Sequence, residues 1–445
     1  MPRPCSAATL AATARASPHT AVHTSTLAIW FRTAWVSTAL LSAGVACAQA
    51  PTPADATRWL TPALTYDGTA VAALRGGLRR GSTYVGNLHL KLTAKGDLIG
   101  WPGASAFADV LTIHGGRPSR LVGDAQGVSN IEGPAGTQVE ELWLQQNFNG
   151  SVASLLVGIY DLNSEFHRLQ AAGLFLNSAL GIGPEFAQSG VEGPSIFPRT
   201  SAGLRFAVKP TPRMVARLAL LDGVPVVRPD GSRAVFQPGD GTLAVAELAW
   251  LARAEEAPAD RRSARDRIGR FSSLAPYGSK LAFGAWHFSG RFADLSERGP
   301  SGEPLSRRGT SGLYLLGEHA LSGSDDASAK RWAAFGQVGI ADARTNRFGS
   351  HFSAGVVGSG WRLIGNADQL GLSITRAVNG SHFMRGQSAL NLPTHRAETT
   401  VELTYLTLLS DHLTLQPDLQ YVRRPNTDPA LSDAWVLQLR FELSF

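Results

Sequence analysis

The last twelve residues, AWVLQLRFELSF (434–445), decide the fold. Read back from the terminus, Phe445, Leu443, Phe441, Leu439, Leu437 and Trp435 take alternate positions. Ser444, Glu442, Arg440, Gln438 and Val436 take the others. A repeat of two is the signature of a β-strand, and here one face is wholly apolar. A soluble sandwich would turn such a face toward a core. At a terminus ending in phenylalanine it has the form of the closing strand of an outer-membrane barrel. Phe445 is then the residue a barrel-assembly machinery would read.

The same alternation recurs upstream. Leu413, Leu415, Leu419 and Tyr421 alternate with Thr414, Gln416, Asp418 and Gln420. Val401, Leu403 and Tyr405 alternate with Glu402 and Thr404, and Leu88, Leu90 and Leu92 with His89 and Lys91. Leu142 and Leu144 alternate with Glu141, Trp143 and Gln145. Each stretch is about ten residues, the span of a tilted membrane strand. Acids such as Glu402 and Asp418 are costly toward lipid and natural toward water, so the expected interior is a wet lumen.

Composition agrees. The 445 residues are 44% hydrophobic and only 17% charged, with 47 glycines. A mean hydropathy of −0.03 excludes a bundle of membrane helices, and the apolar content excludes a disordered chain. Residues 1–48 read as a secretory signal: Arg32, an apolar run from Trp35 to Val45, then Ala46-Cys47-Ala48 as a small-x-small cleavage site. A transit peptide and a lipoprotein signal at Cys47 are weaker readings, since Gly44 stands where a lipobox has leucine. Removing the signal takes both cysteines and three arginines, leaving 397 residues with a formal charge of +3. That charge is no argument for a nucleic-acid partner, and the exported chain has no disulfide.

Sixteen strands can be placed, the first at 70–77, the ninth and tenth at 280–290 and 310–319, the last at 434–445. The expected organisation is a signal (1–48), a periplasmic segment (49–69) and an all-β, antiparallel transmembrane barrel (70–445). With both termini periplasmic, the longer connections face outward. The charge run RAEEAPADRRSARDRIGR (253–270) breaks that pattern and reads as a solvated loop, with a partner-docking loop or a further strand as alternatives.

Sixteen tilted strands about 4.8 Å apart enclose a backbone diameter near 32 Å, too wide for side chains alone to constrict. Residues 161–199 form the longest outer connection and carry Leu162, Phe166, Leu169, Phe175, Leu180, Ile182 and Phe186. Such a loop must pack, most plausibly on the inner wall. SEFHRLQAAGLFLNSA within it suggests a short helix capped by Ser164. The candidate constriction and sugar-contact residues are Asp161, Asn163, Glu165, Asn177, Glu185, Gln188 and Arg199 from the loop. Arg79, Arg80, Trp143, Glu402 and Asp418 join them from the wall, with His89, Lys91, Glu141, Gln145, Gln420 and Arg440 as further lumenal positions. Glu185 is expected in mid-constriction.

At this loop the chain resembles the carbohydrate-selective porin (OprB-type) family of Gram-negative outer membranes. GIYDLNSEFHRLQAAGLFLNSALGIGPEFAQSGVEGPSIFPRTSAGLRF (158–206) carries the resemblance. LALLDGVP (218–225), RRGSTYVGNLHLKL (79–92), WRLIGNADQLGLSITRAV (361–378), ETTVELTY (398–405) and QPDLQYVRRP (416–425) extend it. The resemblance implies a sixteen-stranded barrel, passive diffusion of small sugars, no cofactor and a constriction of inward loops. His167 departs from it, standing where an acid is expected.

A sugar offers hydroxyls and flat apolar faces, so a pore suited to it needs mixed donors and acceptors and aromatic rings. Mixed charge signs favour neutral solutes over ions. The same strands allow a general, non-selective porin, and a homotrimer in contact with lipid and lipopolysaccharide is compatible with them. An exported β-protein binding polysaccharide is a third reading. An outer-membrane enzyme is disfavoured: no GxSxG, HExxH or Walker loop occurs, and no metal set is recognisable.

Overall fold

A backbone crossing hydrocarbon must pair every N–H and C=O within itself, and this chain does so as one closed antiparallel sheet. The computed structural model describes residues 58–225, 235–252, 278–321, 331–361, 363–364 and 367–445. The signal (1–48) and the charge run (253–270) lie outside them.

The strands are β1 (Leu60–Gly77), β2 (Gly81–Lys95), β3 (Ala104–Gly115), β4 (Gly136–Phe148), β5 (Ala153–Tyr160), β6 (Ser201–Thr211), β7 (Met214–Asp222) and β8 (Thr242–Leu251). Then come β9 (Ser279–Arg298), β10 (Pro304–Ala320), β11 (Arg331–Ala341), β12 (Phe348–Ser359), β13 (Asp368–Asn379), β14 (Ala397–Ser410), β15 (Leu413–Arg423) and β16 (Ser432–Ser444). Each pairs with its sequence neighbours, and β1 pairs with β16 to close the barrel. At the seam Phe445 and Leu64 exchange two backbone hydrogen bonds, at 3.0 and 2.8 Å.

The alternation in β16 sorts as expected. Leu437 and Leu439 are 46% and 45% exposed on the outward face, while Gln438 and Glu442 are 1% and 3% exposed on the inward face. The exposed leucines of the other strands continue this outward belt, which faces lipid.

Three expectations are corrected. The wall begins at Leu60, so residues 60–69 belong to β1 and not to a periplasmic segment. Pro62, Asp67 and Gly68 conceal the alternation there. Gly68 is required: a Cβ would collide with the Tyr84 hydroxyl and come within 2.6 Å of the Phe441 ring. Second, β9 and β10 run past the expected outer ends, joined by the short connection 299–303. Third, residues 164–179 form no continuous helix. The loop is built from turns at Leu162–Ser164, Ala172–Leu174 and Ser178–Leu180 and a single helical turn, Pro184–Ala187. Asp161 and Asn177 cap the first and third turns, not Ser164. His167 has a positive φ of 52°, which a helix cannot contain.

The loop 161–200 packs inside the barrel. Its Leu162, Phe166, Leu174, Phe175 and Phe186 form one cluster with inward residues of β8–β11, among them Val245, Trp286, Tyr314 and Phe335. Phe186 lies flat on Trp286 at 4.9 Å between centroids. That arc of the interior is therefore a packed apolar core rather than a wet wall. Gly371 on β13 makes room for it, since a Cβ there would stand 2.7 Å from the Phe175 ring.

Gly68→Val is expected to destabilise the barrel by about 1–3 kcal/mol through overpacking at the seam. The measurement is the temperature at which the fast-migrating folded band disappears from detergent gels, which should fall.

Candidate functional site

Turns carry backbone N–H groups that no sheet satisfies, so an inward loop needs acceptors on the wall. Four glutamates supply them. Glu247 on β8 accepts from the His167 N–H at 2.8 Å, and Glu318 on β10 from the Ala171 N–H at 2.8 Å. Glu402 on β14 accepts from Leu176 and Asn177 at 2.5 and 3.1 Å. Glu398, also on β14, accepts from Ala125 and Gln126 at 2.8 and 3.0 Å. Those last donors belong to a second inward connection, 116–135, which the sequence reading passed over. It touches the longer loop directly: Asn130 N–H donates to Leu176 O, and Ser178 N–H to Gly127 O, both at 2.8 Å. Gln420 and Gln438 hold its Val128 carbonyl from the far wall at 2.9 and 2.7 Å.

This arrangement reassigns several candidates. Glu402, Asp418, Asn177 and Glu185 are buried at 1–2% exposure and cannot meet a solute. Alternation set their face correctly, but a loop covers it. Asn177 links the loop to Gln420 at 3.3 Å, and Asp418 accepts from Gln420 and Gln438. Asn163 staples the loop to itself, donating to the carbonyls of Phe166, His167 and Gly181. Gln188 donates to Ala125 O at 2.6 Å, joining the two loops. Arg79 and Arg80 are exposed at the outer rim, in the 78–80 connection. Arg199 is half-buried and ion-paired with Glu192.

Glu185 is seated differently from the wall acids. Neither of its oxygens has a hydrogen-bond partner among the described residues. It lies against Gly339, with His351 Nδ1 at 3.7 Å. Burial pushes its carboxyl up to about 8. His167 is also buried, 4.5 Å from the Tyr314 ring. Burial pushes its imidazole down to about 4, so it is neutral where the family resemblance expects an acid.

Some inward residues on the opposite side keep exposure. His89, Trp143, Gln145 and Asn147 on β2 and β4 are half-buried, as are Asp161 and Glu165 of the loop. Lys91, Asp109, Glu141 and Arg205 beside them are buried. Trp143 stacks on Phe107 at 5.4 Å and 29° and donates Nε1–H to Glu141 at 3.2 Å. His89 meets Asp109 at 3.1 Å. Arg205, a buried cation on β6 that the alternation does not single out, binds Glu165 at 2.7 Å, Gln145 at 2.6 Å and Ser154 at 2.6 Å. Tyr160 donates to the same Glu165 at 2.6 Å. Burial alone would raise the Glu165 carboxyl, but Arg205 and Arg217, with these hydrogen bonds, hold it below the ordinary range.

A sixteen-stranded barrel with an apolar outer belt, narrowed by inward outer connections, is a bacterial outer-membrane porin. The carbohydrate-selective porin, OprB family matches residues 79–445, and the chain belongs to that family. Its function is carbohydrate diffusion across the outer membrane. The high-pH structure of Pseudomonas putida OprB is similar with a TM-score of 0.74 at 17% identity, covering 87% of this chain and 94% of that one. The low-pH structure of the same protein gives 0.51 at 14% identity, covering 87% and 92%. Among curated protein sequences, none matches this chain.

Glu402→Ala leaves the Leu176 and Asn177 N–H groups buried without acceptors, at about 1–3 kcal/mol each. Single-channel recordings should show a larger, noisier conductance, while gel migration of the folded barrel stays unchanged. Glu185 gives a pH dependence. Its raised pKa favours the protonated, seated state. Seating is therefore strongest below the ordinary glutamate pKa, weakens as pH rises, and levels off above about 8. Channel noise should rise over that window in the native chain and stay flat in Glu185→Gln.

Proposed function

We propose that the sugars are neutral mono- to small oligosaccharides, and that they cross along the β2–β6 side. The observation that supports this is the half-exposed Trp143, stacked on Phe107 and flanked by polar groups of both signs. The indole face suits the apolar face of a pyranose. His89, Gln145, Asn147 and Glu165 offer donors and acceptors in place of lost hydration, with buried Asp109 behind His89 and buried Arg205 behind Glu165 and Gln145. Opposite charges close together create little net field for an ion to follow. Binding stays weak in this reading, since a millimolar site is worth about −4 kcal/mol and the solute must leave.

Phe445 serves assembly in the same proposal. Its backbone closes onto Leu64, but its ring is 47% exposed and stacked on His412 at 5.3 Å, accessible as a terminal signal.

Liposome swelling with glucose, disaccharides and amino acids of matched size tests the reading. Glucose should pass faster than a matched amino acid, and Trp143→Ala should reduce that ratio about fivefold, the equivalent of about 1 kcal/mol. Equal rates for all solutes in the native protein would make it a general porin instead.

A further inference from the structure

The leucine belt is interrupted by a groove on the outward face of β8–β11. Ala244 and Ala246 on β8, Ala285 on β9 and Ser311 on β10 are small, and Leu313 and Ile340 wall a groove of about 590 Å³ above them. A second outward groove, at β1–β5, has an apolar lining alone. The first groove does not. His287 and Ser311 bond each other across it at 2.8 Å. Asp342 stands at its edge, neutralised by Arg344 at 2.7 Å.

Directly beyond the groove, Arg291 on β9 and Arg308 on β10 are register partners. Both are exposed. Their strand neighbours Phe292 and Arg307 turn inward, Phe292 onto the core and Arg307 onto buried Asp294. Arg291 and Arg308 therefore face outward, and neither has an acidic partner among the described residues. Like charges opposite each other on adjacent strands are unfavourable, and an anion held between them removes the conflict. Their height is informative. From Leu281, exposed at the inner end of β9, to Arg291 is a rise of about 25 Å at roughly 3.3 Å per residue and 40° of tilt, the height of a barrel's apolar band. The two guanidiniums thus stand at headgroup level in the outer leaflet, above a slot open to hydrocarbon.

We propose that this groove is a binding site for a phosphorylated saccharolipid of the outer leaflet, with one acyl chain over Ala246 and Ala285 and a phosphate between Arg291 and Arg308. Small floor residues admit the chain, and planar guanidiniums take phosphate oxygens in bidentate geometry. A second copy of this barrel would present a convex wall, which bridges such a slot without filling it.

The test is native mass spectrometry of the full chain in detergent, titrated with diphosphoryl lipid A, phosphatidylethanolamine and diacylglycerol. The native protein should retain lipid A most tightly. Arg291→Gln with Arg308→Gln should weaken retention roughly thirtyfold, from two surface arginines lost. Ala285→Phe, which fills the slot, should weaken it at least as much. Both variants should keep the folded gel band and native conductance. Equal retention of lipid A by the native and double-arginine proteins overturns the proposal. So does retention of phosphatidylethanolamine or diacylglycerol as tight as that of lipid A. A loss of oligomer mass in Ala285→Phe with lipid retention intact would assign the groove to a second copy. Should Ala285→Phe fail to fold, the double-arginine variant decides alone.

Discussion

Closure of the sheet is the constraint from which the rest follows. In hydrocarbon an open edge would leave a row of N–H and C=O groups without water. β1 must therefore meet β16 over nearly its whole length, and it does so from Thr65↔Ser444 to Ala73↔Val436 without a shift. Closing sixteen strands fixes a width that wall side chains cannot fill. Outer connections then enter the lumen and bring unpaired backbone of their own. The wall answers with acceptors. Glu247, Glu318, Glu398 and Glu402 each take an N–H from a turn, so charges that look like pore lining hold the constriction in place.

The interior divides accordingly. Val245, Trp286, Tyr314 and Phe335 form an apolar arc that receives the loop's phenylalanines, and glycines such as Gly371 give the rings room. The opposite arc holds paired charges and half-buried Trp143. A loop resting on one side of a wide barrel leaves an eccentric passage, and its lining is set by few strands. The residues that meet a solute are then a small subset of those that point inward.

Strand positions were legible because a period of two is written into each strand, and all sixteen were found. The start of β1 was not, because Pro62 and Asp67 interrupt the pattern and Gly68 serves the seam. Periodicity reports a side chain's face and nothing about what covers it. Glu402 and Asp418 were placed inward correctly and judged wet incorrectly for that reason. The loop 161–200 betrayed itself by its apolar density. The loop 116–135 enters with few large apolar residues and is held through backbone atoms and amides, a mode that leaves little trace in sequence. Arg205 escaped notice because single cations carry no period, although its Glu165 partner was marked.

Barrel and constriction differ in how firmly each is held. The wall is a continuous ladder in which every strand has two neighbours, and opening any pair exposes backbone to lipid. The loops rest on separate hydrogen bonds to wall side chains, each worth about 1 kcal/mol net, and on aromatic packing. Those contacts give way to a lumen that can hold water, so releasing them leaves no orphaned group in hydrocarbon. Glu185 is the exception within the seat, a buried carboxyl with no hydrogen-bond partner among the described residues. Unlike the four wall glutamates, it lowers the strength of the seat whenever it ionises. The constriction can therefore loosen without the barrel opening, because the two structures depend on different solvents for their unpaired groups.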